Sequence, residues 1–133
     1  MNISVLKISM WILVATALAG CHSPPPHRPD QWPEAAKIKF RIEGIRPDGL
    51  RGPPDGLVSV AYEFCVPANE RVYQEVRRID AGVQISPGLS GRIGCSKGQA
   101  LCTGNTHQPG WREVLKGLSA LPYVSEIREC FFE

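Results

Sequence analysis

Residues 57–80 read LVSVAYEFCVPANERVYQEVRRID, and a change of period inside this stretch decides the fold class. From Leu57 to Val66, the side chains of Val58, Val60, Tyr62, Phe64 and Val66 share one face of an extended chain. Ser59, Ala61, Glu63 and Cys65 share the other. Period two in a run rich in β-branched and aromatic residues predicts a long central strand whose even face meets helices. Pro67-Ala68-Asn69 ends it, and the period becomes helical: Val72, Val76 and Ile79 form one apolar stripe of a helix from Glu70 to Asp80. Asn69 is its N-cap and Gly82 its stop. Glu70 in the first turn and Arg77 and Arg78 in the last complement the helix dipole.

Downstream, Val83 to Ile85 predicts a short strand, interrupted by Pro87-Gly88. Arg92 to Cys95 is expected to hairpin onto Gln99 to Thr103 across Ser96-Lys97-Gly98. A second helix opens at Pro109, whose missing N–H suits the first helical position, and it buries Trp111, Val114, Leu115 and Leu118. Pro122 ends it, and Tyr123 to Phe132 closes the chain as a strand cut by charges. Upstream, Lys37 to Glu43 alternates charged and apolar residues, so Ile38, Phe40 and Ile42 should face inward from a half-buried strand. Arg46 to Gly56 is a turn-rich surface loop with two Asp-Gly steps. The order from Leu57 is strand, helix, strand, strand, helix, strand. It predicts an α+β domain, a small ferredoxin-like (split βαβ) antiparallel sheet with two helices on one face and an extra N-terminal strand. A second α+β arrangement, with strand 37–45 hairpinned onto 57–66, satisfies the same pattern.

The first twenty residues, MNISVLKISMWILVATALAG, place one cation, Lys7, before an apolar run from Ile8 to Leu18 and then small residues. This is the pattern of an export signal. The apolar run is too short for a permanent membrane span, which needs about 20 residues. Leu18-Ala19-Gly20-Cys21 resembles the lipobox of bacterial lipoproteins. The resemblance implies cleavage before Cys21, a thioether-linked diacylglycerol on that cysteine and a further acyl chain, palmitate for example, on its amine. Two or three chains turn marginal membrane binding into stable anchoring, at about 0.8 kcal/mol per buried methylene. His22 follows where lipoproteins retained at the inner membrane of many Gram-negative bacteria carry Asp, so the resemblance implies the periplasmic face of the outer membrane. The expected organisation is a lipoprotein signal peptide over 1–20, the lipidated cysteine and a Pro-rich tether over 21–36, and a disulfide-stapled α+β domain over 37–133. The tether holds Pro24, Pro25, Pro26, Pro29 and Pro33 and reads as a semi-rigid polyproline stalk. His22 and His27 within it have no partner ligands in reach. Trp32 could serve the membrane interface or dock on the domain.

The chain's 133 residues, 43% of them hydrophobic, suffice for one small domain. Fifteen Lys and Arg are dispersed among thirteen Asp and Glu, which gives no basic stripe for nucleic acid. With Cys21 assigned to lipid, Cys65, Cys95, Cys102 and Cys130 remain, an even number in an exported domain, and two disulfides are expected. The strand reading favours Cys65–Cys130 across neighbouring strands and Cys95–Cys102 across the hairpin.

No catalytic motif emerges. There is no phosphate-binding loop, and Ser90 and Ser96 lie in no nucleophile elbow. No C-x-x-C redox pair occurs, so no catalytic residue, cofactor or metal is assigned. Gly91 to Trp111 holds the densest cluster of unusual residues, and Arg92, Lys97, Asn105, His107 and Gln108 form a candidate binding loop. The region from Cys95 to Cys130 is similar to uncharacterised exported bacterial proteins, a similarity that transfers no site. The expected function is a membrane-anchored cell-envelope lipoprotein acting as a non-enzymatic interaction or structural module, with an envelope protein or peptide as partner. The alternative is a Zn- or Cu-handling lipoprotein using reduced Cys95, Cys102 and His107, although their spacing matches no standard zinc motif.

Overall fold

A computed structural model of the chain describes residues 32–131. The signal, Cys21 and most of the tether lie outside the described residues.

Trp32 lies five residues before the expected domain start. The Trp32 indole N–H donates to Ser119 Oγ at 2.9 Å, so the tryptophan docks on the domain. A single 3-10 turn, Ala35–Lys37, follows. Strands β1 (Leu50–Arg51) and β2 (Val58–Ser59) form a small antiparallel pair. The main body is β3 (Ala61–Pro67), α1 (Glu70–Ile79), β4 (Gln84–Pro87), β5 (Gln99–Asn105), α2 (Trp111–Ala120) and β6 (Arg128–Glu129). The last four strands form one sheet in the order β4-β5-β3-β6, every neighbouring pair antiparallel. The class is therefore α+β, with two helices and antiparallel sheets.

The even face of β3 is the core face. Tyr62, Phe64 and Val66 are at most 1% exposed, and they share one cluster with Val72 and Val76 of α1 and Trp111, Leu115 and Leu118 of α2. α1 forms where the period and caps place it, with Asn69 Oδ1 accepting the Val72 N–H at 2.9 Å. The helices approach closely at Gly117, where a Cβ would lie 2.8 Å from Ile79 Cγ2.

Several expected elements differ. The long strand 57–66 breaks at Val60: Thr106 Oγ1 accepts the Val60 N–H at 3.0 Å, and the Thr106 N–H donates to the Val60 carbonyl at 2.9 Å. Residues before the break pair with β1, and Val58, expected inside, is 56% exposed. Lys37 to Glu43 keeps its alternation of burial but forms no strand. Its ladder is one parallel bridge, Ile38 with Ile127. The turn-rich loop 46–56 carries β1. α2 starts at Trp111 rather than Pro109, because Gly110 at φ 66° is the residue before the first turn. The closing strand 123–132 shrinks to β6.

The largest departure concerns the partner of β5. Residues 92–95 form turns instead of a strand: Gly91 and Gly94 adopt φ of 61° and 81°, and the Ser90 carbonyl accepts the N–H groups of Gly94 and Cys95. β4 pairs with β5 in their place, with Pro87 at the end of this edge strand. The 88–98 segment instead folds over the odd face of β3 and β5. Ile93 N–H donates to Glu63 Oε1 at 2.6 Å, and a Cβ on Gly91 would lie 2.6 Å from Leu101 Cδ1. Glu63 and Leu101 are buried as a result.

That placement corrects both expected disulfides. Cys65 bonds to Cys95, their Cα atoms 5.5 Å apart, while Cys102 and Cys130 are buried free thiols. Cys65–Cys130 does not form because the Cys130 N–H donates to the Ala61 carbonyl. Cys130 thus sits opposite Ala61, four residues or about 13 Å along β3 from Cys65, beyond the roughly 7 Å limit between bridged Cα atoms. Cys95–Cys102 does not form because Cys102 pairs with Phe64 and so points into the helix-side core, whereas Cys65, opposite Leu101, points to the face that Cys95 covers.

Candidate functional site

The sheet separates the residues of the expected binding loop. Arg92 and Lys97 belong to the disulfide-held segment, which joins β5 at Gln99, while Asn105, His107 and Gln108 lie at and beyond its other end. Six residue steps of strand, about 20 Å, separate Gln99 from Asn105. His107 is exposed and locally tied: its N–H donates to Asn105 Oδ1 at 2.9 Å, and its Nδ1 lies 3.1 Å from the Asp48 carbonyl. The metal alternative fares no better on geometry. The Cys95 sulfur is in a disulfide, Cys102 is in the core, and among the described residues no three His, Cys, Asp or Glu side chains gather to hold an ion. Burial pushes the Cys102 thiol up to about 12, with nearby Asp80 adding to the rise and Arg77 opposing it. It stays protonated at neutral pH and is neither nucleophile nor ready ligand.

Gln108 belongs to a different constellation. Asp80, at the C-terminus of α1, is fully buried. Its Oδ2 accepts the Tyr62 hydroxyl at 2.7 Å, and its Oδ1 accepts the Gly82 N–H at 3.1 Å and a Gln108 Nε2–H at 3.3 Å. Gln108 is itself held by the Asn105 carbonyl at 2.9 Å. Burial and then the Asp80 charge push the Tyr62 phenol far above its usual value, so this hydroxyl remains a donor. Gly104 makes room for the group, since a Cβ there would lie 2.6 Å from Asp80 Oδ2 and 2.7 Å from the Tyr62 ring. The network ties the end of α1, β3 and the connection between β5 and α2 together from inside and presents no reactive atom to solvent.

An open cleft of about 710 Å³ lies between residues 39–41 and β6. The bridge at Ile38 brings the N-terminal segment beside β6, and the bend at Phe40 carries it away again. The cleft is lined by Lys39, Arg41, Arg51 and Arg128, by the carboxylates of Glu126 and Glu129, and by Phe40 and Phe131. Both carboxylates are engaged: Glu129 by Arg51 from β1 in a two-pronged ion pair, and Glu126 by Arg128 at 3.0 Å. Lys39 Nζ donates to the Ala36 carbonyl at 2.7 Å. Four cations against two paired carboxylates leave the cleft net positive. Phe131, 62% exposed, adds an apolar patch to the wall.

Sequence reasoning passed over this surface because Lys37, Lys39 and Arg41 look like the solvated face of a strand. The signal lay in Lys39 and Arg41, whereas Lys37 turns instead to the Leu121 carbonyl. Arg51 and Arg128 come from distant elements, and only the fold adds them.

No protein-family model matches the chain, and no curated protein or solved structure matches it either.

Proposed function

We propose that the chain is an exported lipoprotein, held by lipid on Cys21 at the periplasmic face of the outer membrane, whose folded domain is a non-enzymatic interaction module. The observation that carries this reading is the Cys65–Cys95 disulfide, which pins the 88–98 segment over one sheet face. A structural disulfide belongs to an oxidising compartment, where the export signal and the lipobox would deliver it. The side-chain chemistry supports binding over turnover. The buried carboxylate Asp80 is taken up by three donors, Cys102 is held protonated in the core, and the open charged surface is the cleft beside β6. We read the domain itself as ferredoxin-like, a reading supported by the strand order β4-β5-β3-β6 with helices after β3 and β5.

The test is metabolic labelling with radioactive palmitate in a Gram-negative host, followed by separation of the membranes and recovery of partners from envelope extracts. The proposal expects label in the outer-membrane fraction, its loss in Cys21→Ser, and a co-purifying envelope protein. An unlabelled, unprocessed chain would overturn the anchor. Turnover of small substrates with no protein partner would overturn the binding role.

A further inference from the structure

Among the described residues, the cleft beside β6 has an open backbone edge as well as a charge. In the antiparallel ladder, Arg128 pairs with Glu63 and the Cys130 N–H donates to the Ala61 carbonyl, so the backbone polar groups of residues 128 and 130 turn toward β3. Those of 127 and 129 therefore turn outward. Ile127 uses both of its groups on the N-terminal segment, donating to the Lys37 carbonyl and accepting the Lys39 N–H, each at 2.8 Å. The next rungs of a parallel ladder would run from the Glu129 N–H to the Lys39 carbonyl and from the Arg41 N–H to the Glu129 carbonyl. Neither forms among the described residues, because the chain bends away at Phe40. The cleft opens where pairing stops, with the outward N–H and C=O of Glu129 at its wall.

We infer that this cleft captures an extended acidic segment of a partner protein, which pairs with the outer edge of β6 and adds a strand to the sheet. The inference rests on reading the domain as an interaction module. Main-chain hydrogen bonds to an unpaired edge supply affinity in this mode of recognition, and contacts to alternate side chains supply selectivity. Both are present. Lys39 and Arg41 select carboxylates, and the exposed Phe131 ring with Phe40 offers apolar contact to the side chains between them. A charged edge of mixed sign would discourage any added strand. Here the two carboxylates are already paired, so the remaining field attracts an acidic strand and repels a basic one.

The experiment uses the full chain in zwitterionic detergent micelles and an eight-residue peptide of alternating glutamate and valine. Its comparators are the lysine-valine counterpart and two versions N-methylated at one or the other set of alternate residues. The glutamate peptide should bind and slow amide exchange over residues 128–131. At least one N-methylated version should bind ten-fold or more weakly, and so should the double variant Lys39→Glu/Arg41→Glu, whose exposed side chains leave the core untouched. No binding of the glutamate peptide overturns the inference, as does equal binding of both N-methylated versions, which would make the attraction charge alone. Loss of the glutamate peptide to micelles doped with phosphatidylglycerol at stoichiometric amounts would assign the cleft to a lipid headgroup instead. Palmitate labelling is independent of all these outcomes, so the anchor and the ligand can fail separately.

Discussion

Asp80 is a carboxylate at zero exposure, and it is held there by three hydrogen bonds from neutral donors. Removing one partner of such a group leaves the others unsatisfied, at about 1 to 3 kcal/mol for each stranded polar atom. Asp80→Ala strands the Tyr62 hydroxyl in the core, and we expect a loss of about 2 to 4 kcal/mol in denaturant unfolding, with Tyr62→Phe costing less. The network also sets an alkaline limit. Because burial and Asp80 raise the phenol in the folded state, Tyr62 stays neutral there while the unfolded chain ionises it from about pH 10. The stabilising effect is complete below pH 10 and declines above it, by about 1.4 kcal/mol per pH unit for such a group. Unfolding free energies of the full chain from pH 8 to 11 should begin to fall near pH 9, where the unfolded chain's Cys102 ionises, and fall more steeply past pH 10, and Tyr62→Phe should lose part of that second steepening. None of this was legible in the sequence. Tyr62 falls on a correct apolar period and Asp80 on a correct helix end, but periodicity does not say that two core-facing residues meet as donor and acceptor.

At the scale of elements, local signals served well where local chemistry decides. The stop at Pro67, the Asn69 cap and the Val72-Val76-Ile79 stripe fix α1, and Asn69→Ala should cost it about 1 kcal/mol in thermal unfolding. Pairing was less legible, because a strand's partner is chosen by contacts far along the chain. Gly91 and Gly94 turn the 92–95 segment over the sheet, so β4 takes the place beside β5. The same turn delivers Cys95 to Cys65 rather than to Cys102. Their bridge spans 30 residues of sequence, and on the chain-entropy model it stabilises by roughly 3 to 4 kcal/mol before strain. The double variant Cys65→Ser/Cys95→Ser should lose about that much in denaturant titration. In hydrogen exchange it should also release the Ile93 N–H from Glu63, while the core amides of α2 change only with global stability.

The whole molecule is more than its folded domain. The proposed export and anchoring would rest on the first 21 residues, and the first described residue, Trp32, is seated on Ser119 of the folded domain. Sequence alone assigned that tryptophan to neither membrane nor domain, and its hydrogen bond places it on the domain. The candidate binding residues moved furthest. A glycine-rich stretch looked like one loop because its members are close in sequence, yet a full strand of sheet divides them. Lys39, Arg41, Arg51 and Arg128 are scattered in sequence, yet the bridge at Ile38 and the ion pair of Arg51 with Glu129 gather them around one cleft. The central claim is a lipidated chain in an oxidising compartment with one specific disulfide. Its most direct test is non-reducing peptide mass mapping of protein isolated from membranes, alkylated after unfolding. The account predicts a mature N-terminus at Cys21 bearing diacylglycerol, one crosslinked pair containing Cys65 and Cys95, and alkylated Cys102 and Cys130. An unmodified Cys21, or a crosslink joining Cys65 to Cys130, would contradict it.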